Sequence, residues 1–264
     1  MGAAGRVKLV EYAIRSGNVV EKRRCRMRMH WTWEAPARRG KKACKSSAAK
    51  IRGNEQESVK KLARMINCNF GAGDLWLTLR WADCPEDWDE AYRRIKYFFD
   101  RARERMKKET GKALRYIWSP GKKSTKTGED ARPHIHVVMD RLGWDTVCAL
   151  WPEGDVTYRI IDSRGDYTGI ARYMVSNAGY STERGRRAWN TSRGLKKPVY
   201  TEPVPVADVE SMRAPKGAEI TERVILQDEV TGLESGYMRY IVPERAQKRG
   251  GHKKDRDGGT ADGI

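Results

Sequence analysis

Apolar and polar residues alternate with a period of two near both ends of the chain, and with helical spacing at several places between. Val7 to Ile14 runs into the turn residues Ser16-Gly17-Asn18 and a second run starts at Val19, which predicts a β-hairpin. In that second run Cys25, Met27, Met29 and Trp31 share one face, while Arg24, Arg26, Arg28 and His30 share the other. The basic face suits contact with phosphates, and equally a solvated edge strand whose charges oppose aggregation. From Pro36 to Arg52 no apolar period survives, so a flexible basic arm is expected. Val59, Leu62, Ala63 and Ile66 then predict a helix over 55–66.

Leu75 to Trp81 reads as a strand buried on its leucine face. Pro85-Glu86-Asp87 opens the clearest helix, with Trp88, Tyr92, Ile95, Phe99, Ala102 and Met106 as a core-facing stripe and basic residues crowding its end before Gly111. Strands at 113–118 and 132–139, joined by a polar loop over 121–131, are expected to pair antiparallel. A short helix at 144–151, a strand at 156–161 and a helix at 168–177 follow. Val224-Ile225-Leu226 and residues 237–242 flank a Thr231-Gly232 turn, a second hairpin signal. This order predicts an α+β fold of the ferredoxin/RRM-like kind, with helices on one face of an antiparallel sheet. The expected division is a basic N-terminal hairpin and arm over 1–54, a central domain over 55–205, a C-terminal hairpin over 206–242, and a disordered basic tail over 243–264.

Within 132–139 lies the densest chemistry. Two of only four histidines, His134 and His136, stand one residue apart, so a strand turns both to one face while Ile135, Val137 and Met139 turn to the other. Two adjacent imidazoles can share one metal ion; they are also compatible with a strand surface that holds no ligand.

Charge narrows the partner. The 53 Lys+Arg against 35 Asp+Glu leave +18 at pH 7, a balance suited to nucleic acid. No apolar run approaches a membrane span and no signal peptide is visible, so a soluble, cytoplasmic protein with no membrane partner is expected. Five scattered cysteines form no C-x-x-C pair, which argues for reduced thiols. No phosphate-binding loop is present: Gly121-Lys122-Lys123 lacks the following Ser or Thr.

A covalent nuclease also needs a nucleophile, and Tyr173, in Ile170-Ala171-Arg172-Tyr173-Met174-Val175 on the expected helix, is the leading candidate. An isolated helical tyrosine is also what core packing with a wet hydroxyl produces. Tyr167 and Tyr180 are rivals beside the helix ends.

Several stretches together resemble the rolling-circle replication initiators of the HUH (His-hydrophobic-His) class of single-strand DNA endonucleases. Leu75-Trp76-Leu77-Thr78-Leu79 is similar to their first motif, His134-Ile135-His136 to the second, and Asp166 to Tyr173 to the third, which carries the nucleophile. Residues 62–70 and 191–198 add flanking likeness. The resemblance implies Mg²⁺ or Mn²⁺ on His134 and His136, attack by Tyr173 alone, and a 5′-phosphotyrosine with a free 3′-OH that primes replication. The implied partners are single-stranded or hairpin origin DNA, a separate helicase and a DNA polymerase.

Two positions depart from the family pattern. A third, carboxylate ligand from the preceding strand is replaced by Ser119-Pro120-Gly121, and Glu129 is the expected substitute. The lysine usual three residues after the tyrosine is Ser176, so Arg172 or another base would hold phosphate; Arg24, Arg26, Arg28, Arg193, Lys196 and Lys197 are the other candidates for contact with DNA. Relaxases and transposases share this chemistry. A non-catalytic nucleic-acid-binding module is the alternative of a different class, and would show aromatics on an open sheet.

Overall fold

The computed structural model describes residues 7–28, 47–123, 130–178, 187–229 and 231–243. In chain order the elements are β1 (Val7–Ser16), β2 (Val19–Arg28), α1 (Ala48–Asn69), β3 (Leu75–Arg80), α2 (Trp88–Thr110), β4 (Tyr116–Lys123), β5 (Asp130–Met139), α3 (Trp144–Leu150), β6 (Val156–Ile160), α4 (Thr168–Asn177), β7 (Asn190–Thr191), β8 (Val199–Tyr200), β9 (Val204–Pro205), β10 (Glu219–Gln227) and β11 (Glu234–Ile241). The fold is α+β, with two antiparallel sheets and helices packed against them.

The central sheet has the order β6-β3-β5-β4-β7. Its helices lie on both faces, which corrects the one-face expectation. Period-two burial explains why. Leu75, Leu77 and Leu79 of β3, with Ile135, Val137 and Met139 of β5, pack against Ile95, Phe98 and Phe99 of α2 and Val147 of α3. On the opposite face Ile117 and Val138 pack against Leu62 and Ile66 of α1 and Ala171, Met174 and Val175 of α4. Both faces of the middle strands are therefore withdrawn from water, and the histidine face is an interior one.

Helix α2 starts where the acidic signal placed it. Asp87 is the N-cap, its side chain accepting from the Glu90 amide at 2.8 Å, and Gly111 in the left-handed conformation ends the helix. Helix α1 begins seven residues earlier than its apolar spacing suggested. Ser47 caps it, accepting from the Lys50 amide, so residues 48–52 of the expected arm are helical and the expected boundary at 54/55 falls inside α1. The 121–131 loop is also shorter than expected, because the β4–β5 ladder continues to Lys123↔Asp130.

The terminal hairpins are one structure. Strand β11 pairs with β2, joining β10-β11-β2-β1-β8 in a second sheet, with β9 also on β1. One face of this sheet is sealed by Met212, Met238 and Tyr240, and the other turns toward α1. The tight turn at Gly17 (φ +60°) fixes this docking: a Cβ there would come within 2.2 Å of the Asn67 carbonyl oxygen of α1. No described helix is long and apolar enough to cross a membrane. The expected tail from 244 onward lies outside the described residues, as do residues 36–46 of the arm.

Candidate active site

The β3–β5–β4 register builds the site. Thr78 and Ser119 stand opposite His136 on either side, and Arg80 and Gly121 stand opposite His134. Directly paired residues of neighbouring strands project to the same face, so all six share the interior face toward α4. His136 is fully buried. Its Nδ1 lies 3.0 Å from Thr78 Oγ1, and His134 Nδ1 lies 2.8 Å from the Arg132 carbonyl oxygen. With each Nδ1 so engaged, the two Nε2 atoms converge at 3.1 Å.

Gly121 makes room for this pair. A Cβ at position 121 would fall 2.2 Å from His134 Nε2 and 2.4 Å from its Cδ2. The imidazole lies over the glycine backbone, a place no side chain can share.

Helix α4 brings Tyr173 to the same point. Its ring packs edge-on to His136 at 5.0 Å between centroids and to Trp76 at 5.6 Å, and the residue is 37% exposed, so the phenol is held from inside and open outside. One turn later Asn177, 2% exposed, donates from Nδ2 to the Tyr173 carbonyl at 3.1 Å. Of the rival tyrosines, Tyr167 is buried with its hydroxyl donating to the Asp162 carbonyl at 2.9 Å, and Tyr180 lies outside the described residues.

Electrostatics keep both rings neutral near pH 7. Burial pushes the His136 imidazole down to about 3, and the adjacent His134 and the Arg80 guanidinium press the same way against the Asn177 carboxamide. His134 is also held below its ordinary value, chiefly by burial and then by Arg80, against the Arg132 carbonyl and Asn177. Neutral imidazoles present lone pairs, the form a metal takes.

The residues fit a divalent ion. Cis ligands of an octahedral ion at about 2.1 Å sit roughly 3.0 Å apart, close to the observed 3.1 Å between the two Nε2 atoms. Thr78 and the Arg132 carbonyl supply the outer hydrogen bonds that orient metal-binding imidazoles. Among the described residues no third His, Cys, Asp or Glu joins the pair, and Glu129 lies outside them. The buried Ser119 hydroxyl, in register with His136, has no hydrogen-bond partner among the described residues.

The basic candidates scatter. Arg24 is engaged within the fold: it is 7% exposed, donates to Glu11 at 2.8 Å and reaches the Asp208 carbonyl at 2.7 Å and the Ser211 hydroxyl at 2.8 Å, so it ties β1 and β2 to the segment after β9. Arg26 is exposed on β2, and the Arg28 side chain lies outside the described residues. Arg193, Lys196 and Lys197 are exposed beyond the end of β4 opposite Gly121, on a loop whose backbone Asn69 clamps at Lys196. Arg172 points from α4 into a separate cleft. The cation beside the histidines is Arg80, anchored to Thr157 Oγ1 at 2.8 Å. Sequence reading missed Arg80, Asn177 and Gly121 as site residues. Period two places Arg80 on the Thr78 face, but only the strand register brings it to His134.

Residues 74–178, from the residue before β3 to the one after α4, match the family model of the replication-associated protein ORF2/G2P. This segment resembles a replication-associated domain. Every residue of the histidine–tyrosine cluster falls inside it, whereas α1 and the second sheet lie outside. No curated protein and no solved structure matches the chain. The family match covers 105 of the 264 residues and likens that segment to a replication-associated protein.

Proposed function

We propose that the replication-associated domain nicks and rejoins single-stranded origin DNA by HUH-type chemistry, with Tyr173 as the sole nucleophile. One observation carries this reading: two neutral imidazole nitrogens 3.1 Å apart, with a half-open tyrosine packed on one of the rings. The Tyr173 oxygen attacks the scissile phosphorus, an O–P bond forms as the P–O3′ bond breaks, and the phenolic proton passes through water to the departing 3′ oxygen. The 5′ end stays on Tyr173 and the 3′-OH primes synthesis; the reverse reaction reseals the strand. His134 and His136 would hold Mg²⁺ or Mn²⁺, with Mn²⁺ the better match to nitrogen ligands, and the bound ion supplies polarisation of the phosphate. Glu129 remains the carboxylate candidate for a third ligand. Asn177 orients the nucleophile's helical turn against the histidines, and Arg80 holds the phosphate in place of the absent lysine.

Replication initiation fits the family match better than mobilisation or transposition does. The open-sheet binding module is disfavoured for the central sheet, because helices cover both of its faces. With no phosphate-binding loop in the sequence, strand separation and synthesis fall to a separate helicase and polymerase.

Cleavage of a labelled single-stranded oligonucleotide carrying the origin, with Mn²⁺, tests the reading. The wild type cleaves, EDTA and Tyr173→Phe abolish cleavage, and Arg80→Ala slows it about 10- to 100-fold at an unchanged position. Cleavage that survives in EDTA, or in Tyr173→Phe, contradicts the assignment.

A further inference from the structure

The second sheet and the helices α1 and α4 enclose an open cleft of about 820 Å³ outside the histidine site. Its floor is a row running across four strands. Tyr12 of β1 pairs with Arg23 of β2, Arg23 with Tyr237 of β11, and Tyr237 with Val224 of β10, and all four side chains line the cleft. Six basic and two acidic residues line it in all. Arg23, Arg24, Lys60 and Arg239 are held in ion pairs. Arg52 of α1 and Arg172 of α4 are exposed on the opposite wall, with no carboxylate partner among the described residues. Arg23 lies over the Tyr237 ring at 5.5 Å, and its Nε is shut off from solvent with no hydrogen-bond partner among the described residues.

We infer that this cleft binds the single-stranded DNA that flanks the cleavage site, resting on the proposed nicking activity for the strand's destination. Tyrosine faces and apolar side chains alternating with arginines are the surface on which unstacked bases and their phosphates bind. The volume lies within the range of pockets for small ligands, about 300–1,000 Å³, which gives room for a short run of a flexible strand. Position relative to the nucleophile supports the same occupant. Arg172 faces the cleft while its neighbour Tyr173, about 100° round α4, faces His136, so a strand held by Arg172 leads to the nucleophile. The cleft thereby gives the second sheet, outside the family match, a role in gripping substrate.

Binding measured in EDTA isolates this claim from the nicking chemistry. A fluorescent oligothymidylate is titrated into full-length protein, and into the Arg52→Glu/Arg172→Glu and Arg93→Glu/Lys96→Glu double variants. The last pair makes the same charge change on exposed positions of α2, across the central sheet. Reversal in the cleft is expected to weaken binding at least about 10-fold, and the salt slope should shrink by about 1.4 for two lost phosphate contacts. The α2 pair should change affinity less than about 3-fold, as a distant charge is screened. Tyr12→Ala, which leaves the charge intact, should also weaken binding. Equal losses from both double variants, no loss from the cleft variant, or equal competition by an oligonucleotide duplex would each overturn the assignment. Failure of nicking would not move these readouts.

Discussion

At the scale of single residues, the site depends on what is missing as much as on what is present. Gly121 was legible only as part of a loop; its role arises from a ladder partner thirteen positions away, His134. A methyl group there must displace either the imidazole or the strand, since the nearest ring atom would be at 2.2 Å. Gly121→Ala is therefore expected to leave a folded protein that binds Mn²⁺ about 10- to 100-fold more weakly, the usual cost of disturbing ligand orientation. Isothermal titration with Mn²⁺, alongside circular dichroism, measures both. Unchanged Mn²⁺ affinity would mean that the His134 ring does not sit where the ion binds. The histidine pair itself and Tyr173 were readable, because period two and helical spacing are local properties. Thr78 stood in the first motif, and Arg80 and Asn177 in the expected strand and helix, but their proximity to the rings depends on register and helix docking, which a linear pattern does not specify.

Among the elements, α1 shows how far local reading extends. Its apolar residues predicted a helix over 55–66, and the structure carries it from Ala48 to Asn69. The added first turns are basic and exposed, so no apolar period announced them, and their cap, Ser47, lies within the stretch expected to be an arm. The helix is bolted to the second sheet by Arg64, whose Nε and Nη2 each donate to a Glu21 oxygen at 2.7 Å, with both side chains about 8% exposed. Burial raises the Glu21 carboxyl, but the two Arg64 bonds and the neighbouring charges outweigh it and hold the group below its ordinary 4.5. A carboxyl so depressed stabilises the fold at pH values above its unfolded value, and that contribution is lost as pH falls through the folded one. Glu21→Gln should cost about 3–5 kcal/mol near neutral pH by stranding a buried guanidinium. The gap to wild type should narrow below about pH 4. Urea denaturation at the two pH values checks this; a gap of constant size would show that the pair does not titrate with folding.

For the whole molecule, the sequence conveyed the α+β class and both hairpins, yet presented them as separate terminal pieces. Their union through β2 and β11 joins residues more than 200 positions apart, as in Arg23↔Tyr237, and no local signal encodes such a pairing. The helices of the central sheet were likewise placed on one face, because the order of elements does not say which face each helix crosses; only packing by α1 and α4 shows the histidine face to be interior. The result is a segment similar to a replication-associated domain whose histidine–tyrosine cluster lies under α4, with a second sheet outside the family match beside it. The central claim is that DNA becomes covalently attached to Tyr173. Incubation with the origin oligonucleotide and Mn²⁺, proteolysis, and mass spectrometry of the DNA-linked peptide test it most directly. The account predicts the 5′-phosphate on the peptide containing Tyr173. Attachment to a peptide containing Tyr167 or Tyr180 instead, or cleavage with no linked peptide, would contradict it.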